Sequence, residues 1–434
     1  MLETHALYIL LGSFFVLVFL RVPISFALGC CSIFTLVYLH VPLLVMLNQM
    51  YTSLNSYPLL AVPFFMLLGR LMNDGGITDR LVKVSDAWVG HISGGLGHVN
   101  VMVSMLFAGL SGSSTADTAG IGSMMIPAMK KAGFDTPFSV AVTAASSTLG
   151  VIIPPSIMMV VYASIAQISV GALFWAGVVP GILIGFSQMV YCYYRAKKYG
   201  YPRNPKMPML QRLKVTAKAI PPLSLPVIIL GGVTLGLFTA TESAAIAVCV
   251  GLLLSMCLYK SIRVRDLKLV FSDSAVMYCV SLFMMSMAGV VGWLIAYLNV
   301  PEIITTFVLS ITSSRIGIYV LLVIILLVIG TFLNPLTVII AFMPVILALG
   351  RAGHIDPIHL GLIVNLVLAL GVITPPYGVS LLLAAQIGEI SPMSAFKLVF
   401  PMLTLAVLII FAGIVFPDLF LFLPKLLMPQ AFGL

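Results

Sequence analysis

The chain has 434 residues, of which 61% are hydrophobic and only 8% carry a formal charge. Soluble domains have about 25% charged residues, so an ordinary soluble protein is excluded. The net charge of +9 does not indicate nucleic-acid binding, because the basic residues lie in short segments between apolar runs, as in membrane proteins. A membrane-spanning helix needs about 20 apolar residues, so roughly a dozen segments fit this length. We predict an all-α polytopic membrane protein within a lipid bilayer.

Ten apolar runs predict membrane segments in chain order. They lie near residues 6–20, 22–40, 58–72, 137–170, 171–193, 220–238, 242–259, 274–298, 357–388 and 398–420. Two further runs, 94–130 and 316–350, are too long for one helix and are interrupted by glycine and polar residues. The segment Thr78–Val89 has one apolar and one charged helical face, which predicts a helix lying along the cytoplasmic interface.

The basic residues determine how the two interrupted runs lie. If both return to the side that they entered, then of the 22 Lys and Arg residues only Arg315, Arg351 and Lys425 lie outside. Because Lys and Arg favour the cytoplasmic side, we predict two re-entrant hairpins. The first opens from the cytoplasm and the second from the outside, and both chain termini lie outside.

A sequence repeat divides the chain into two halves. The string GVIIPP at Gly150–Pro155 recurs as GVITPP at Gly371–Pro376, 221 residues later, and related strings flank both copies in the same order. The predicted units are a first half, 1–193, a basic cytoplasmic linker, 194–219, and a second half, 220–434. Repeats whose hairpins open from opposite sides are inverted, which is typical of secondary transporters.

Each proline pair interrupts an apolar helix, within 137–170 and within 357–388, because proline lacks a backbone donor and bars its predecessor from helical geometry. Carbonyl groups freed in this way are tolerated at membrane depth only where they are buried in protein or line a cavity. Oxygen ligands suit a hard cation such as Na⁺, and Thr374 adds a hydroxyl. The alternative is a pair of proline kinks satisfied by neighbouring helices.

The hairpin turns carry further polar groups. The first contains GLSGSSTADTAGIG, Gly109–Gly122, and the second contains GTFLNP, Gly330–Pro335. Helix N-termini at these turns would direct positive dipole ends at one anion, whereas glycine and serine also serve close helix packing. Asp117 and Glu242 each stand near a predicted helix start, where a carboxylate either caps the helix or takes part in transport.

No constellation of residues indicates an enzyme. The six cysteines lie in apolar runs without metal-ligand or redox spacing, and no nucleophile–base pair or phosphate-binding loop is present in the sequence. We predict neither catalysis nor a resident cofactor. A channel is disfavoured, because hairpins on opposite faces suit alternating access.

The chain resembles the large membrane subunit of TRAP (tripartite ATP-independent periplasmic) transporters over nearly its whole length. The resemblance rests on PFFMLLGRLM at 63–72, SGSSTADTAGIG at 111–122, LGVIIPPS at 149–156, TATESAAIAV at 239–248, GTFLNP at 330–335 and GVITPPYGV at 371–379. It implies a scaffold and a mobile transport domain in an elevator mechanism, within the inner membrane of a bacterium, with both termini periplasmic. It also implies a small four-helix membrane subunit, expected as a separate chain, and a periplasmic substrate-binding protein.

The resemblance also implies which residues bind. One Na⁺ site would use the side chains of Ser111, Ser113 or Ser114 with carbonyls of Gly150, Ile153 and Pro155. A second would use Gly330, Gly371, Thr374 and Tyr377. Thr115 and Asn334 are the candidate substrate contacts, although related sequences often have Asp where this chain has Asn334.

The predicted function is Na⁺-coupled secondary import of small organic anions, such as carboxylates and acidic sugars, delivered by a binding protein. The alternative is a standalone dicarboxylate or anion transporter, coupled to Na⁺ or to protons, that needs no binding protein. Uptake by the chain alone would favour the alternative.

Overall fold

The computed structural model describes residues 2–433, and none of these lies in a β-strand. The prediction of an all-helical chain is confirmed. Besides short 3₁₀ and π turns, twenty α-helices are present in the described part. They are α1 Leu2–Phe19, α2 Ile24–Tyr38, α3 Leu44–Leu54, α4 Ala61–Asp74, α5 Ile77–Val89, α6 Gly95–Ser111, α7 Ser114–Lys131, α8 Thr136–Ser147, α9 Ile157–Ala166, α10 Val170–Tyr199, α11 Met209–Thr234, α12 Ala240–Leu253, α13 Val264–Tyr297, α14 Val300–Ile311, α15 Arg315–Gly330, α16 Pro335–Ala352, α17 Pro357–Gly371, α18 Val379–Gly388, α19 Pro392–Val415 and α20 Asp418–Leu427.

Six helices between residues 2 and 433 are long and apolar enough to cross a membrane, and a seventh span results if the helices on either side of a 69° bend, Leu44–Leu54 and Tyr57–Asp74, are counted together. The six are Val170–Tyr199, Met209–Thr234, Ala240–Leu258, Val264–Tyr297, Pro335–Ala352 and Pro392–Val415. The predicted spans 6–20 and 22–40 correspond to shorter apolar helices, and the run 58–72 belongs to the bent pair. The interrupted helices consist of helices of 10–15 residues, and each hairpin pairs a helix of 16 or 17 residues with one of 18.

Both interrupted runs form a helix, a tight turn and a second helix. In the first, α6 and α7 are separated by Gly112 and Ser113, and in the second α15 and α16 are separated by residues 331–334. The limbs of each pair pack against each other. Gly112 has φ +62°, a left-handed conformation that glycine adopts at little cost, so the sharp turn depends on this residue.

Both proline pairs separate two short helices. The first pair lies between α8, which continues as a 3₁₀ turn over Thr148–Val151, and α9. The second lies between α17 and α18. Each second helix ends at a left-handed residue, Gln167 after α9 and Glu389 after α18. The breaks therefore lie where the proline pairs predicted them.

Two amphipathic helices connect α4 and α13 to the hairpins. The predicted interfacial helix is α5, which follows left-handed Gly76 (φ +65°) and leads into α6. Its counterpart in the second half is α14, which follows left-handed Asn299 (φ +53°) and leads into α15. The sequence did not predict α14, because Pro301 and Glu302 interrupt a short apolar run. It also missed α3 and α20.

The basic linker is mostly helical. Helix α10 extends to Tyr199 and α11 begins at Met209, so only residues 200–208 of the predicted 194–219 segment are non-helical. Long helices continue beyond the apolar residues because Lys and Arg favour helices almost as well as Ala does.

The helices pack in two groups. Around α8 lie α6, α7, α18 and α19, with α10 against α17 and α19. Around α13 lie α2, α3 and α4, with α12 against α4 and α11. The groups meet chiefly where α13 packs on α16 and α4 packs on α6. A cavity lies at this boundary.

Candidate functional site

A cavity of about 370 Å³ lies where the two hairpin turns meet the two interrupted helices. The first hairpin contributes Gly112–Thr115, and the second contributes Asn334–Leu336. Residues beside both breaks, Val151 and Val372, line it as well, while α4 and α13 close it with mainly apolar side chains. Thr115 and Asn334, the candidate substrate contacts, therefore line the same cavity although they are far apart in sequence.

The first hairpin turn contains a buried carboxylate. Ser113 caps α7 by accepting a hydrogen bond from the backbone of Ala116, so Asp117 does not serve as the cap. Asp117 is fully buried, and Ser111 Oγ donates to its Oδ1. Its Oδ2 has no hydrogen-bond partner among the described residues. A Cβ added to Gly150 would lie 2.2 Å from that Oδ2, so the unpaired oxygen abuts the break in the first interrupted helix.

The backbone of the same hairpin also contacts this break. The amide of Ile157 donates to the carbonyl of Gly112 (3.4 Å). A Cβ on Gly112 would lie 3.0 Å from the carbonyl oxygen of Pro155. Within the described part of the chain the carbonyls of Ile153 and Pro155 accept no backbone hydrogen bond. The break thus presents free oxygens beside the hairpin hydroxyls.

The second break is approached by backbone instead of by a carboxylate. A Cβ on Gly371 would lie 2.7 Å from the carbonyl oxygen of Gly330, and the amide of Tyr377 donates to the carbonyl of Thr331 (3.1 Å). Thr374 Oγ1 donates to the carbonyl of Leu370 (2.8 Å), which leaves its lone pairs free to accept. Three of the predicted ligands, Gly330, Gly371 and Tyr377, are therefore in close proximity.

Asn334 has a structural task that the sequence did not reveal. Its side-chain oxygen accepts a hydrogen bond from the backbone of Leu336 (3.0 Å) and caps α16. The amide nitrogen of this side chain makes no hydrogen bond within the described residues and remains free to donate to a ligand. On the first hairpin, Thr115 Oγ1 lies 3.2 Å from Ser113 Oγ.

Two serines that the sequence did not single out contact Ser114 at the site, and one of them, Ser380, belongs to the second half. Ser114 Oγ lies 2.8 Å from Ser380 Oγ and 3.3 Å from Ser147 Oγ. All three side chains are buried. Ser147 lies just before the first break, and Ser380 lies just after the second. The presence of a hydroxyl residue next to each proline motif is the feature of the sequence that could have predicted this contact.

Glu242 lies elsewhere and caps a helix. Its backbone amide donates to Thr239 Oγ1 (3.2 Å), and its carboxylate accepts from the backbone of Thr239 (2.8 Å). These reciprocal bonds form a capping box at the start of α12. No group of three His, Cys, Asp or Glu side chains with metal-binding geometry occurs among residues 2–433. The polar side chains that line the cavity, on Ser113, Ser114, Thr115 and Asn334, each carry an oxygen atom, the ligand type that hard cations take.

Comparison with known proteins is consistent with this architecture. Residues 11–419 match the family model described as the DctM component of the tripartite ATP-independent periplasmic transporter. The chain is 35% identical to the sialic acid TRAP transporter large permease protein SiaM of Vibrio cholerae, over 91% of this chain and 94% of that protein. It is 37% identical to the C4-dicarboxylate TRAP transporter large permease protein DctM of Pseudomonas aeruginosa, over 78% and 79%.

A third relative is the 2,3-diketo-L-gulonate TRAP transporter large permease protein YiaN of Escherichia coli, 30% identical over 95% of this chain and 98% of the relative. Among solved structures, the YdaH transporter of Alcanivorax borkumensis superposes with a TM-score of 0.62 over 88% of both chains. At 13% identity that likeness concerns the fold alone.

Proposed function

The chain belongs to the family of TRAP transporter large membrane permeases, and we propose that it imports small organic acids by Na⁺-coupled secondary transport. The relatives above are named for sialic acid, C4-dicarboxylates and 2,3-diketo-L-gulonate, which are organic acids. The observation that carries the proposal is the single cavity between the two hairpin turns and the two helix breaks.

The first Na⁺ site uses the hydroxyls of Ser111, Ser113 and Ser114 and the carbonyls of Gly150, Ile153 and Pro155. To this set we add Asp117, whose Oδ2 is buried, unpaired and next to Gly150. A buried, uncompensated carboxylate is costly, and a bound cation offsets much of that cost. A carboxylate attracts a cation and repels an anionic substrate, so we assign Asp117 to the Na⁺ site and not to the substrate site.

The second Na⁺ site uses the carbonyls of Gly330 and Gly371, the hydroxyl of Thr374 and the backbone of Tyr377. The close approach of Gly371 to the Gly330 carbonyl supports it, because both glycines contribute to one small space. This site holds no formal charge of its own.

The substrate anion lies between the two turns. Helices α7 and α16 begin there and direct partial positive charge from their N-termini into the cavity. Thr115 and Asn334 line it and supply hydrogen-bond donors. Na⁺ at both sites orders the turns and completes the anion site.

Transport then follows an elevator mechanism. The hairpins and interrupted helices move as one domain against a scaffold built from α1–α4 and α11–α13. The inverted repeat supports this division, since α5 and α14 connect the scaffold to the two hairpins in corresponding places. A small four-helix membrane subunit joins the scaffold, and a periplasmic binding protein delivers the substrate. The chain lies in the bacterial inner membrane with both termini periplasmic.

Thermal unfolding of the purified chain in detergent tests the Na⁺ sites without knowledge of the substrate. NaCl is compared with KCl at constant ionic strength. A ligand that binds only the folded state stabilises it by about 2.7 kcal/mol at a hundredfold excess over its Kd. We expect stabilisation by Na⁺ alone. Equal unfolding temperatures in the two salts would contradict Na⁺ binding.

Replacing single hydroxyls tests the two sites separately. Ser111→Ala and Thr374→Ala are each expected to reduce Na⁺-dependent uptake while the protein still inserts normally. Uptake is measured in proteoliposomes with the small subunit and the binding protein present. Full activity in both variants would refute the assigned ligands, and uptake by the large subunit alone would favour a standalone transporter.

A further inference from the structure

Four basic side chains converge outside the transport site, at the end of the amphipathic helix α5. His91 follows α5, Arg203 and Lys206 lie in the non-helical part of the linker, and Arg212 lies in the first turns of α11. Burial first, and then the charges of Arg212, Lys206 and Arg203, lower the pKa of His91. Positively charged side chains of the linker and of α11 therefore lie near His91 at the end of α5.

Arg212 lacks the partner that a buried cation ordinarily has. Its side chain is only 8% exposed. Nε donates to the carbonyl of Met207 (2.9 Å), while Nη2 is buried and has no hydrogen-bond partner in the described residues. His91 Nδ1 is likewise buried and unpartnered. Buried charges in proteins are usually paired, so the unpaired Nη2 of Arg212 indicates an anion that binds here, and the neutral ring of His91 adds a polar group beside it.

The protein's own carboxylates do not supply that anion. The acidic residue of this region, Asp86, accepts a hydrogen bond from Asn204 Nδ2 (2.5 Å). No ion pair within 4 Å joins it to a basic side chain of residues 2–433. Asn204 instead anchors the linker to α5, since its backbone amide also donates to the carbonyl of Gly90 (2.9 Å).

The surroundings of the cluster favour a lipid. The start of α11 exposes three apolar side chains, Met209 (57%), Leu210 (66%) and Leu213 (51%). The indole of Trp88 donates to Thr216 Oγ1 (2.9 Å), and its ring lies 5.9 Å from the guanidinium carbon of Arg212. Aromatic rings of this kind concentrate at the level of lipid headgroups. Acyl chains along α11 would cover the exposed apolar side chains.

We propose that His91, Arg203, Lys206 and Arg212 form a binding site for the phosphate of an anionic phospholipid. The headgroup occupies the junction of α5, the linker and α11, and the acyl chains lie along Met209, Leu210 and Leu213. A bound lipid thereby ties the linker between the two halves to the helix that leads into the first hairpin.

Lipid titration of the purified full-length chain in detergent tests the site. Phosphatidylglycerol and phosphatidylcholine are compared by native mass spectrometry and by their effect on the unfolding temperature, with inorganic phosphate as a third probe. Each basic residue near a membrane surface contributes substantially to anionic lipid binding. We expect Arg212→Gln to bind phosphatidylglycerol about fivefold more weakly, and the double variant Arg203→Gln with Lys206→Gln about thirtyfold more weakly.

Lys268→Gln is the matched control, since it removes one exposed positive charge at the start of α13, away from the cluster. It should bind phosphatidylglycerol as the unmodified chain does. The double variant alters only exposed side chains and decides the matter if Arg212→Gln does not fold. An equal loss in Lys268→Gln, or equal binding of phosphatidylcholine, would overturn the proposal. Stabilisation by inorganic phosphate equal to that by phosphatidylglycerol would show a site for soluble anions and refute the lipid.

Discussion

The two hairpin turns occupy corresponding places but are built from different groups. At the first, the carboxylate of Asp117 meets the helix break at Gly150, and Ser113 provides the helix cap. At the second, the carbonyl of Gly330 meets the break at Gly371, and Asn334 is the cap. One turn therefore contains a carboxyl group, whereas the other contains only backbone and amide dipoles.

For the proposed Na⁺ sites, this difference means that the two turns would bind a cation through different groups. A carboxylate attracts Na⁺ over several ångströms and tolerates small displacements, because Coulomb energy falls slowly with distance. Carbonyl and hydroxyl dipoles act only when they are closely positioned. We infer that the first site depends on charge and that the second depends on backbone placement.

Asp117→Asn should have the largest effect, because it removes the group that distinguishes the first turn from the second. It replaces the carboxyl group at the first turn with an amide, and we expect Na⁺ affinity there to fall at least about 10–100-fold, because that range is found when even an outer-shell partner of a metal site is lost. In KCl the variant should be at least as stable as the unmodified chain, because a buried uncompensated carboxylate has been removed. Unfolding in NaCl and in KCl measures both effects.

Glu302→Gln, an exposed acidic position on α14, serves as its control and should retain the full Na⁺ effect. If Asp117→Asn also retained that effect, the carboxylate would have no role in cation binding.

Alanine at the two contact glycines tests backbone placement. A Cβ at Gly371 would meet the Gly330 backbone at 2.7 Å, so the chain must shift, at a cost of about 1–3 kcal/mol. At Gly150 the added Cβ would displace the Asp117 carboxylate instead. We expect both variants to lose Na⁺-dependent uptake.

Gly231→Ala is the control, since no atom lies within 4 Å of the added Cβ. It should retain uptake and stabilise α11 by about 0.5–1 kcal/mol. Normal uptake in Gly371→Ala would contradict the second site.

Asn334→Asp should make the two turns more alike. Asp caps helices as well as Asn does, so α16 should still fold. Two opposite charges about 10 Å apart at an effective dielectric constant of about 20 attract by ~1.7 kcal/mol, which corresponds to roughly tenfold tighter Na⁺ binding. Isothermal titration with NaCl measures the change. Unchanged Na⁺ affinity would mean that this turn does not face the cation.

Ser380→Ala should have the smallest effect. It removes the hydroxyl contact between Ser380 and Ser114, which joins the two halves, and such a hydrogen bond contributes about 1 kcal/mol. The apparent unfolding temperature should fall slightly in both salts, while the Na⁺ effect persists. A complete loss of the Na⁺ effect would instead make Ser380 part of a cation site.

Sequence patterns predicted the helix breaks well because proline acts locally. Pro154, Pro155, Pro375 and Pro376 restrict their own backbone and that of the preceding residue, whatever the surrounding fold is. Asp117 was harder to interpret, because a carboxylate near a helix start resembles a cap. Its environment is set by Gly150, a residue more than 30 positions away that only tertiary packing brings next to it. The Ser114–Ser380 contact was hidden for the same reason.

The packing of α8 against α18 has a consequence during biosynthesis. Helix α18 leaves the ribosome about 230 residues after α8, a delay of roughly 10–50 s at 5–20 residues per second. The polar face of α8 is mostly covered before then, because Asn100 Nδ2 donates to Thr143 Oγ1 (2.7 Å) and Ser104 Oγ donates to Ser146 Oγ (2.9 Å). Ser114, which lies beside the break, gains its contact with Ser380 only when the second half has been made. The nascent first half can therefore remain in the bilayer with few unpaired polar groups until its partner is made.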